Sequence, residues 1–446
     1  MLALTAAATF LLCWNLTNGF VLPAGARTGF GDGMGLRMSL SDADDGGGLL
    51  TRGEIIKNAG KFAAVTAAGT GCVLTPSGSG PEVLGTPAAF AASSDLPEEA
   101  YTTIGGDMKT CRILNGMWQL SGAHGFRPDQ KPALQAMAKL VNKGYTTFDL
   151  ADHYGPAEDF VGAFESQNRA EADKGQFFTK WVPRPTRMDR STVEAGVGQS
   201  LARMKTKPID LMQFHWWSYD VPYYLDALEH LQELKGDGKI RHLGLTNFDT
   251  KHLEIITDKG IKIASNQVQY SLLDQRPGQR MAALAAERGV GLLCYGTVLG
   301  GLLSEKWIGK PTPTRADFTT VSEMKYYNMI RQWGGWPLFQ ELLSVTKSVA
   351  DKHGVSIPNV GVRWVLDRPA VAGAIVGTRL GLTDHSEDNR RVFGLKLDDE
   401  DRSRIAAVTE QSRDLMTVIG DVVFVGQEPE VERDCRSLTP FLRPNK

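Results

Sequence analysis

From about Asp107 onward the chain alternates two rhythms. Short apolar runs are separated by stretches in which apolar residues recur every three or four positions, the patterns of strands and amphipathic helices. Residues 111–120 predict a strand preceded by a short hairpin, and 132–143 a helix with Leu134, Met137, Leu140 and Val141 on one face. Seven further strands are predicted at 146–150, 176–182, 209–215, 242–247, 264–270, 291–295 and 372–377. Helical spacing fills the gaps: Val193, Val197, Leu201 and Met204 share one face, as do Leu225, Leu228, Leu231 and Leu234. Glycine stop signals in 235–239 end the latter helix. Eight strands, each followed by at least one helix, are the pattern of an α/β protein of the (β/α)8 barrel type. A doubly wound sheet would want a GxGxxG turn after an early strand, and none occurs. Residues 299–336, with Pro311, Pro313, Trp333 and Trp336, and the tail beyond Ser412 are long for connections. They are expected either as flaps over a ligand or as surface decoration.

The first hundred residues follow neither rhythm. Residues 1–14 are an apolar run of signal-peptide length, too short to span a bilayer comfortably. A second apolar segment, 62–74, follows Arg52, Lys57 and Lys61, and the small residues at 88–92 read as a cleavage site. Signal, transit-like segment and Phe20 near the junction resemble the bipartite plastid leaders of algae with secondary plastids. The expected location is the plastid, with the stroma favoured and the thylakoid lumen a further step. The alternative is one secretory signal, a disordered linker and a secreted protein. The organisation is thus a removable leader over 1–95, a barrel over 100–415 and a tail over 416–446, with folded structure beginning near Ser93.

Composition narrows the class. The chain has 446 residues, a formal net charge of −2 and 42% hydrophobic residues, which fits a soluble globular protein and carries no nucleic-acid or polybasic membrane footprint. No stable membrane insertion of the mature protein is expected. Five scattered cysteines (Cys13, Cys72, Cys111, Cys294, Cys435) form no CxxC pair, which argues against a disulfide framework and a zinc site.

Candidate chemistry sits at the ends of the apolar runs. Asp149, Lys180 and His215 stand where strand-like runs stop, and Tyr154 follows Asp149 by a few residues. In a barrel the site lies at the C-terminal ends of the strands. A phenol beside an ammonium, the ammonium held by a carboxylate and an imidazole nearby, makes a proton donor aimed at a carbonyl oxygen. Singly, each has a structural reading: a buried ion pair for Asp149 and Lys180, a core edge for Tyr154, a hydrogen-bonded strand-end histidine for His215.

Together and in this order, the four resemble the catalytic tetrad of the aldo-keto reductases. The resemblance covers most of residues 111–393. It implies reduction of an aldehyde or ketone by NADP(H), with NAD(H) second, on a small-molecule carbonyl substrate. Residues 240–248 resemble the family's Gly-x-Ser-Asn-Phe strand, with Thr246 replacing serine, which implies that Asn247 binds the nicotinamide carboxamide. Gln267, after Asn266, is implied to contact the same group, and Tyr295 to stack on the ring. Gly296, Leu299, Gly300 and Leu302 resemble the loop along the pyrophosphate. Residues 116–118 resemble the family's Gly-Thr-Trp, with Met117 replacing threonine. Thr378, Arg379, Asp388 and Asn389 resemble the adenosine-binding segment, where Arg379 would pair with a 2′-phosphate or stand as a solvated charge. Residues 380–385 run longer than the family pattern.

Trp118 and Trp216 are expected to line the substrate mouth, while Trp217 and Tyr219 either join them or pack under a loop. Cys294 alternates away from the site and is expected as a small core residue. Two competing functions share the fold: a nucleotide-binding regulatory or redox-sensing protein of the potassium-channel β-subunit type, and a pseudoenzyme scaffold, which an intact tetrad disfavours.

Overall fold

The chain enters through an antiparallel hairpin, β1 (Tyr101–Ile104) and β2 (Met108–Cys111). Then β3 (Ile113–Gly116), β4 (Thr147–Asp149), β5 (Gln176–Trp181), β6 (Ile209–His215), β7 (Ile240–Thr246), β8 (Ser265–Gln269), β9 (Gly291–Tyr295) and β10 (Val371–Gly377) close into a parallel barrel. β10 pairs with both β3 and β9, which completes the ring. The computed structural model describes residues 96–422, apart from 123, 126, 127 and 207. The expected leader and the tail beyond 422 lie outside the described residues, as do Cys13, Cys72 and Cys435.

The (β/α)8 expectation holds. The expected strand at 111–120 is divided: Cys111 ends the hairpin, β3 covers Ile113–Gly116, and Trp118–Ser121 is a 3-10 turn. Strand parity then sorts the side chains, because successive residues point to opposite faces. On β5, Phe178 and Lys180 face the barrel interior while Phe177 and Trp181 join the surrounding core; on β6, Leu211 faces inward while Met212 and Phe214 face the helices. The hairpin stoppers the N-terminal end: Ile104 and Met108 pack with Leu114, Phe178, Leu211 and Leu293 in one apolar cluster. A Cβ at Gly105, whose φ is +62°, would stand 2.4 Å from the His242 ring, so only glycine lets the turn press against β7.

The helices follow their sequence signals. Arg190–Met204 opens on Asp189, which accepts from Thr192 N at 2.9 Å, and Thr250–Asp258 on Asp249, which accepts from His252 N at 2.7 Å. Such caps satisfy backbone donors that the first turn leaves open. Val193, Val197 and Met204 are buried as expected, with Leu201 half-buried.

Residues 299–336, expected as a flap over a ligand or as surface decoration, carry regular structure and contribute Gly300, Ser304, Ser322 and Lys325 to the wall of the barrel's cavity. They fold into short 3-10 turns and the helix Val321–Trp333, which a reciprocal capping box between Thr320 and Glu323 opens. Trp333 and Trp336 are core residues. Beyond Ser412 comes a short helix, Leu415–Ile419. The chain is then clipped down by Arg276, which donates to the Gly420 carbonyl at 2.8 Å, and by Thr250 N, which donates to Asp421 at 2.8 Å. Among the described residues no helix is long and apolar enough to cross a membrane.

Candidate active site

The C-terminal end of the barrel opens into a cavity of about 530 Å³. β4 delivers Asp149, β5 delivers Lys180, and β6 delivers His215; Tyr154 comes from the loop after β4, and all four line the cavity. The Lys180 ammonium donates to the two Asp149 oxygens at 2.7 and 2.9 Å and to the Leu150 carbonyl at 3.0 Å. It also lies 4.9 Å from the centre of the Tyr154 ring. Burial pulls the lysine below its ordinary pKa, against the raising effect of the Asp149 charge and hydrogen bond.

Two glutamines complete the carboxylate's surroundings. Asp149 Oδ1 also accepts from Gln213 Nε2 at 2.9 Å and from Gln267 Nε2 at 2.7 Å, and Gln267 donates to Gln213 Oε1 at 2.8 Å. A carboxylate so engaged holds the lysine in one place. Gln213 was not among the expected site residues. Its signal was present in the sequence, as a polar residue two before His215 in an apolar strand and therefore on the same face.

The remaining residues divide into those on the cavity wall and those behind it. Asn247, Gln267, Tyr295, Gly296, Gly300, Arg379, Asp388, Asn389 and Trp118 are on the wall. The Tyr295 hydroxyl donates to Asn247 Oδ1 at 3.0 Å. Asp388 accepts from Ser356 at 2.8 Å and from Asn359 at 3.1 Å, which ties it to the start of a helix. Leu299 and Leu302 are not on the wall: both are fully buried in the outer core, and the glycines Gly300 and Gly301 present the backbone instead. Thr378 also stands outside it, its backbone N–H and hydroxyl both donating to the Gly116 carbonyl.

Trp216 is a correction of the same kind. It is buried beside Phe214, and its indole N–H donates to the Ser218 and Val221 carbonyls. Parity explains this: His215 faces inward, so its neighbour faces the helices. Trp217 donates to the Pro183 carbonyl, and Tyr219 stacks on His252 of the helix Thr250–Asp258 with centroids 3.4 Å apart; neither is on the cavity wall. Cys294 is buried in the outer core and its thiol is pushed well up by burial.

Trp118 meets the Tyr154 ring edge-on at 4.9 Å and the His124 ring at 5.6 Å. His124, buried on the wall, shares a hydrogen bond of 2.9 Å with Ser322, from the helix Val321–Trp333. Burial first, and the Arg379 charge second, pull its pKa down to about 4, so the imidazole is neutral near pH 7. Neither His124 nor Ser322 carried a sequence signal, because their pairing depends on how a loop meets the first turn of a distant helix.

Residues 112–410 match the model of the Aldo/keto reductase family. The chain is 34% identical over 179 residues to flagellar radial spoke protein 5 of Chlamydomonas reinhardtii, a match covering 36% of this chain and only 34% of that protein. It is 26% identical over 325 residues to aldo-keto reductase YhdN of Bacillus subtilis (strain 168), covering 70% of this chain and 94% of the relative. In fold it is similar to the glycerol dehydrogenase AKR11B4 from Gluconobacter oxydans, with a TM-score of 0.59 and 24% identity over 71% of this chain and 97% of that one. Aldo-keto reductases are oxidoreductases that generally use NAD(P)H. With the family model spanning more than half its length, the chain belongs to the aldo/keto reductase family.

Proposed function

We propose that the protein reduces an aldehyde or ketone to an alcohol with NADPH, and that Tyr154 is the acid. The observation that carries this reading is the Lys180 ammonium, fixed by Asp149 and set 4.9 Å from the Tyr154 ring on the cavity wall. A free phenol titrates near about 10. A neighbouring cation favours the phenolate and so makes the phenol a better proton donor at neutral pH. Tyr154 gives its proton to the carbonyl oxygen, and Lys180 stabilises the phenolate left behind. Asp149 holds the lysine in place, and His215 orients the carbonyl oxygen through a ring N–H.

The wall suits a polar, extended ligand such as a nicotinamide dinucleotide. Gln119 Oε1, His124 Nδ1, Thr246 Oγ1 and Thr297 Oγ1 are buried there without a hydrogen-bond partner. Gly301, at φ +98°, adds open backbone surface beside them. When bound, the cofactor supplies the hydride, and the protein supplies position and electrostatics. Asn247 and Tyr295 would hold the nicotinamide end, Gly296 and Gly300 the pyrophosphate, and Arg379 and Asn389 the adenosine end. Arg379 would pair with a 2′-phosphate, which favours NADPH over NADH. Gln267 supports Asp149 directly, its amide nitrogen donating to Asp149 and to Gln213.

Steady-state turnover of an aldehyde panel with NADPH tests the reading. Reduction at enzymic rates is expected; tight cofactor binding with very slow turnover would favour a nucleotide-sensing regulator instead. We also propose that the leader directs the protein to the plastid stroma. N-terminal sequencing of the native protein should find a start well beyond Phe20, and a mature chain beginning at Met1 would overturn the targeting.

A further inference from the structure

Tyr154 sits on a loop, and a proton donor on a loop works only if something fixes it. The loop runs from the end of β4 to the helix Ala157–Gln167, and its first half lies along β5. Leu150 N donates to the Phe178 carbonyl at 2.8 Å, Asp152 N to the Lys180 carbonyl at 2.9 Å, and Val182 N to Asp152 Oδ2 at 3.0 Å. These bonds hold residues 150–152, and local turns carry on through the tyrosine, with Tyr154 N donating to the Ala151 carbonyl at 3.1 Å and Ala157 N to the Tyr154 carbonyl at 3.2 Å. A further attachment comes from outside the barrel. Arg203 Nη1 donates both to the Asp152 carbonyl, at 3.0 Å, and to Glu158 Oε2, at 3.1 Å. The loop carrying Tyr154 lies between those two acceptors.

The other side of this anchor reaches back to Lys180. Glu158 is 1% exposed, and its Oε1 accepts from the Thr179 hydroxyl at 2.7 Å. Thr179 precedes Lys180 on β5 and points to the opposite face. One guanidinium nitrogen therefore joins both ends of the Tyr154 loop, and through Glu158 it is tied to the strand that carries the ammonium. Arg203 is itself placed by a close helix crossing. A Cβ at Gly162 would stand 2.0 Å from the Arg203 carbonyl oxygen, so the helices Ala157–Gln167 and Arg190–Met204 touch there backbone to backbone. Nothing in the proposed chemistry uses Arg203 or Glu158.

We propose that Arg203 is a positioning residue for the reaction: by gathering the Asp152 carbonyl and the Glu158 carboxylate on one nitrogen, it sets the Tyr154 phenol against the Lys180 ammonium. This rests on the assignment of Tyr154 as the acid. Losing the anchor lets the loop shift while Asn247, Tyr295, Gly300 and Arg379, which would hold the cofactor, stay in place on other elements. A misplacement of about 1 Å costs on the order of 10²-fold in rate.

The test compares Arg203→Lys, the double variant Arg203→Met with Glu158→Gln, and Tyr154→Phe. Lysine offers one compact ammonium, which follows the Glu158 charge and releases the Asp152 carbonyl; the double variant removes both charges and leaves none unpaired. For Arg203→Lys kcat should fall about 10-fold, and for the double variant about 10–100-fold. The limb of the kcat–pH profile that reports the phenol should move to higher pH, with the NADPH Kd within about twofold of wild type, since the groove is intact. Wild-type kcat and an unmoved pH profile in both folded variants would overturn the proposal, as would NADPH affinity falling in step with kcat. If thermal melting shows the double variant unfolded, Arg203→Lys alone decides by the same criteria. Full activity in Tyr154→Phe would instead defeat the assignment of the acid and leave Arg203 with no donor to position.

Discussion

Two buried ion pairs in this molecule have nearly the same anatomy and different consequences. Asp149 holds Lys180 at 2.7 Å and Asp274 holds Arg276 at 2.7 Å, with all four side chains no more than 4% exposed. Each carboxylate also takes a glutamine amide from β8, Gln267 for Asp149 at 2.7 Å and Gln269 for Asp274 at 2.8 Å. The cations differ, and so does what lies beyond them. Arg276 closes a planar fork on Asp274 and spends its remaining reach on the Gly420 carbonyl. Burial lowers its pKa but the Asp274 hydrogen bonds and charge raise it more, so the guanidinium stays charged. Lys180 is a compact charge with the Tyr154 ring and the cavity on its open side, and burial leaves its pKa below the ordinary value. Burial and pairing therefore do not make a site. On the proposed reading, a titratable cation that shares a wall with Tyr154 does.

The contrast is broken most directly at the proposed acid. Tyr154→Phe keeps the ring and removes the proton, so kcat should fall by about 10²–10⁴-fold with cofactor binding retained. Lys180→Met should lose a similar amount, and the double variant little more, because the two act as a unit. Rapid-mixing single-turnover rates beside cofactor titrations would measure this; near-normal reduction by Tyr154→Phe would end the distinction between the two pairs.

The structural pair should respond in the opposite currency. Asp274→Ala strands a buried guanidinium and should cost about 3–5 kcal/mol of stability. Urea unfolding measures that loss, and the still-folded enzyme in dilute buffer should turn over normally. A kcat defect without a stability defect would mean that Asp274 also belongs to the site.

A third cation sharpens the scale. Arg379 is on the cavity wall, and Arg379→Ala should remove about 1.5–3 kcal/mol of charge-assisted hydrogen bonding from NADPH alone. Fluorescence titration should then show roughly 10–100-fold weaker NADPH binding and unchanged NADH binding; equal affinity for both cofactors in the wild type would remove the role.

The smallest effect concerns Glu158, a buried carboxyl shared between Arg203 and Thr179. Burial raises its pKa above the ordinary 4.5, so the folded protein holds this proton more tightly than the unfolded chain. That contribution is full below about pH 4.5 and is lost as pH rises through the folded pKa, by about 1.4 kcal/mol for each unit of elevation. Glu158→Gln should flatten this part of the stability curve. A melting-temperature series across the acid range that runs parallel for the two proteins would contradict it.

Much of this was legible from spacing alone. The strands at 209–215 and 291–295 coincide with β6 and β9, because a short apolar run matches a barrel strand buried on both faces. Asp149, Lys180 and His215 were legible as polar residues where apolar runs stop, and Tyr154 as a phenol five residues past Asp149. Trp216 was misplaced because chemical type outweighed parity, although its neighbour His215 already fixed which way it points. Leu299 and Leu302 were drawn to the groove by resemblance, while their apolar side chains took the core and left the surface to Gly300 and Gly301. The helix Val321–Trp333 was hidden by the prolines and long spacing before it. His124–Ser322 and Arg203–Asp152 join residues far apart in sequence through loop and helix-end geometry, which no local pattern encodes.

The hairpin plug has a consequence for traffic. With Ile104 and Met108 stoppering one end of the barrel, the described residues leave the cavity its doorway at the strands' C-terminal ends. Two ligands sharing such a doorway cannot overtake one another. Whichever lies deeper must arrive first and depart last, so the order of arrival is set by the closed floor as much as by the groups around the mouth.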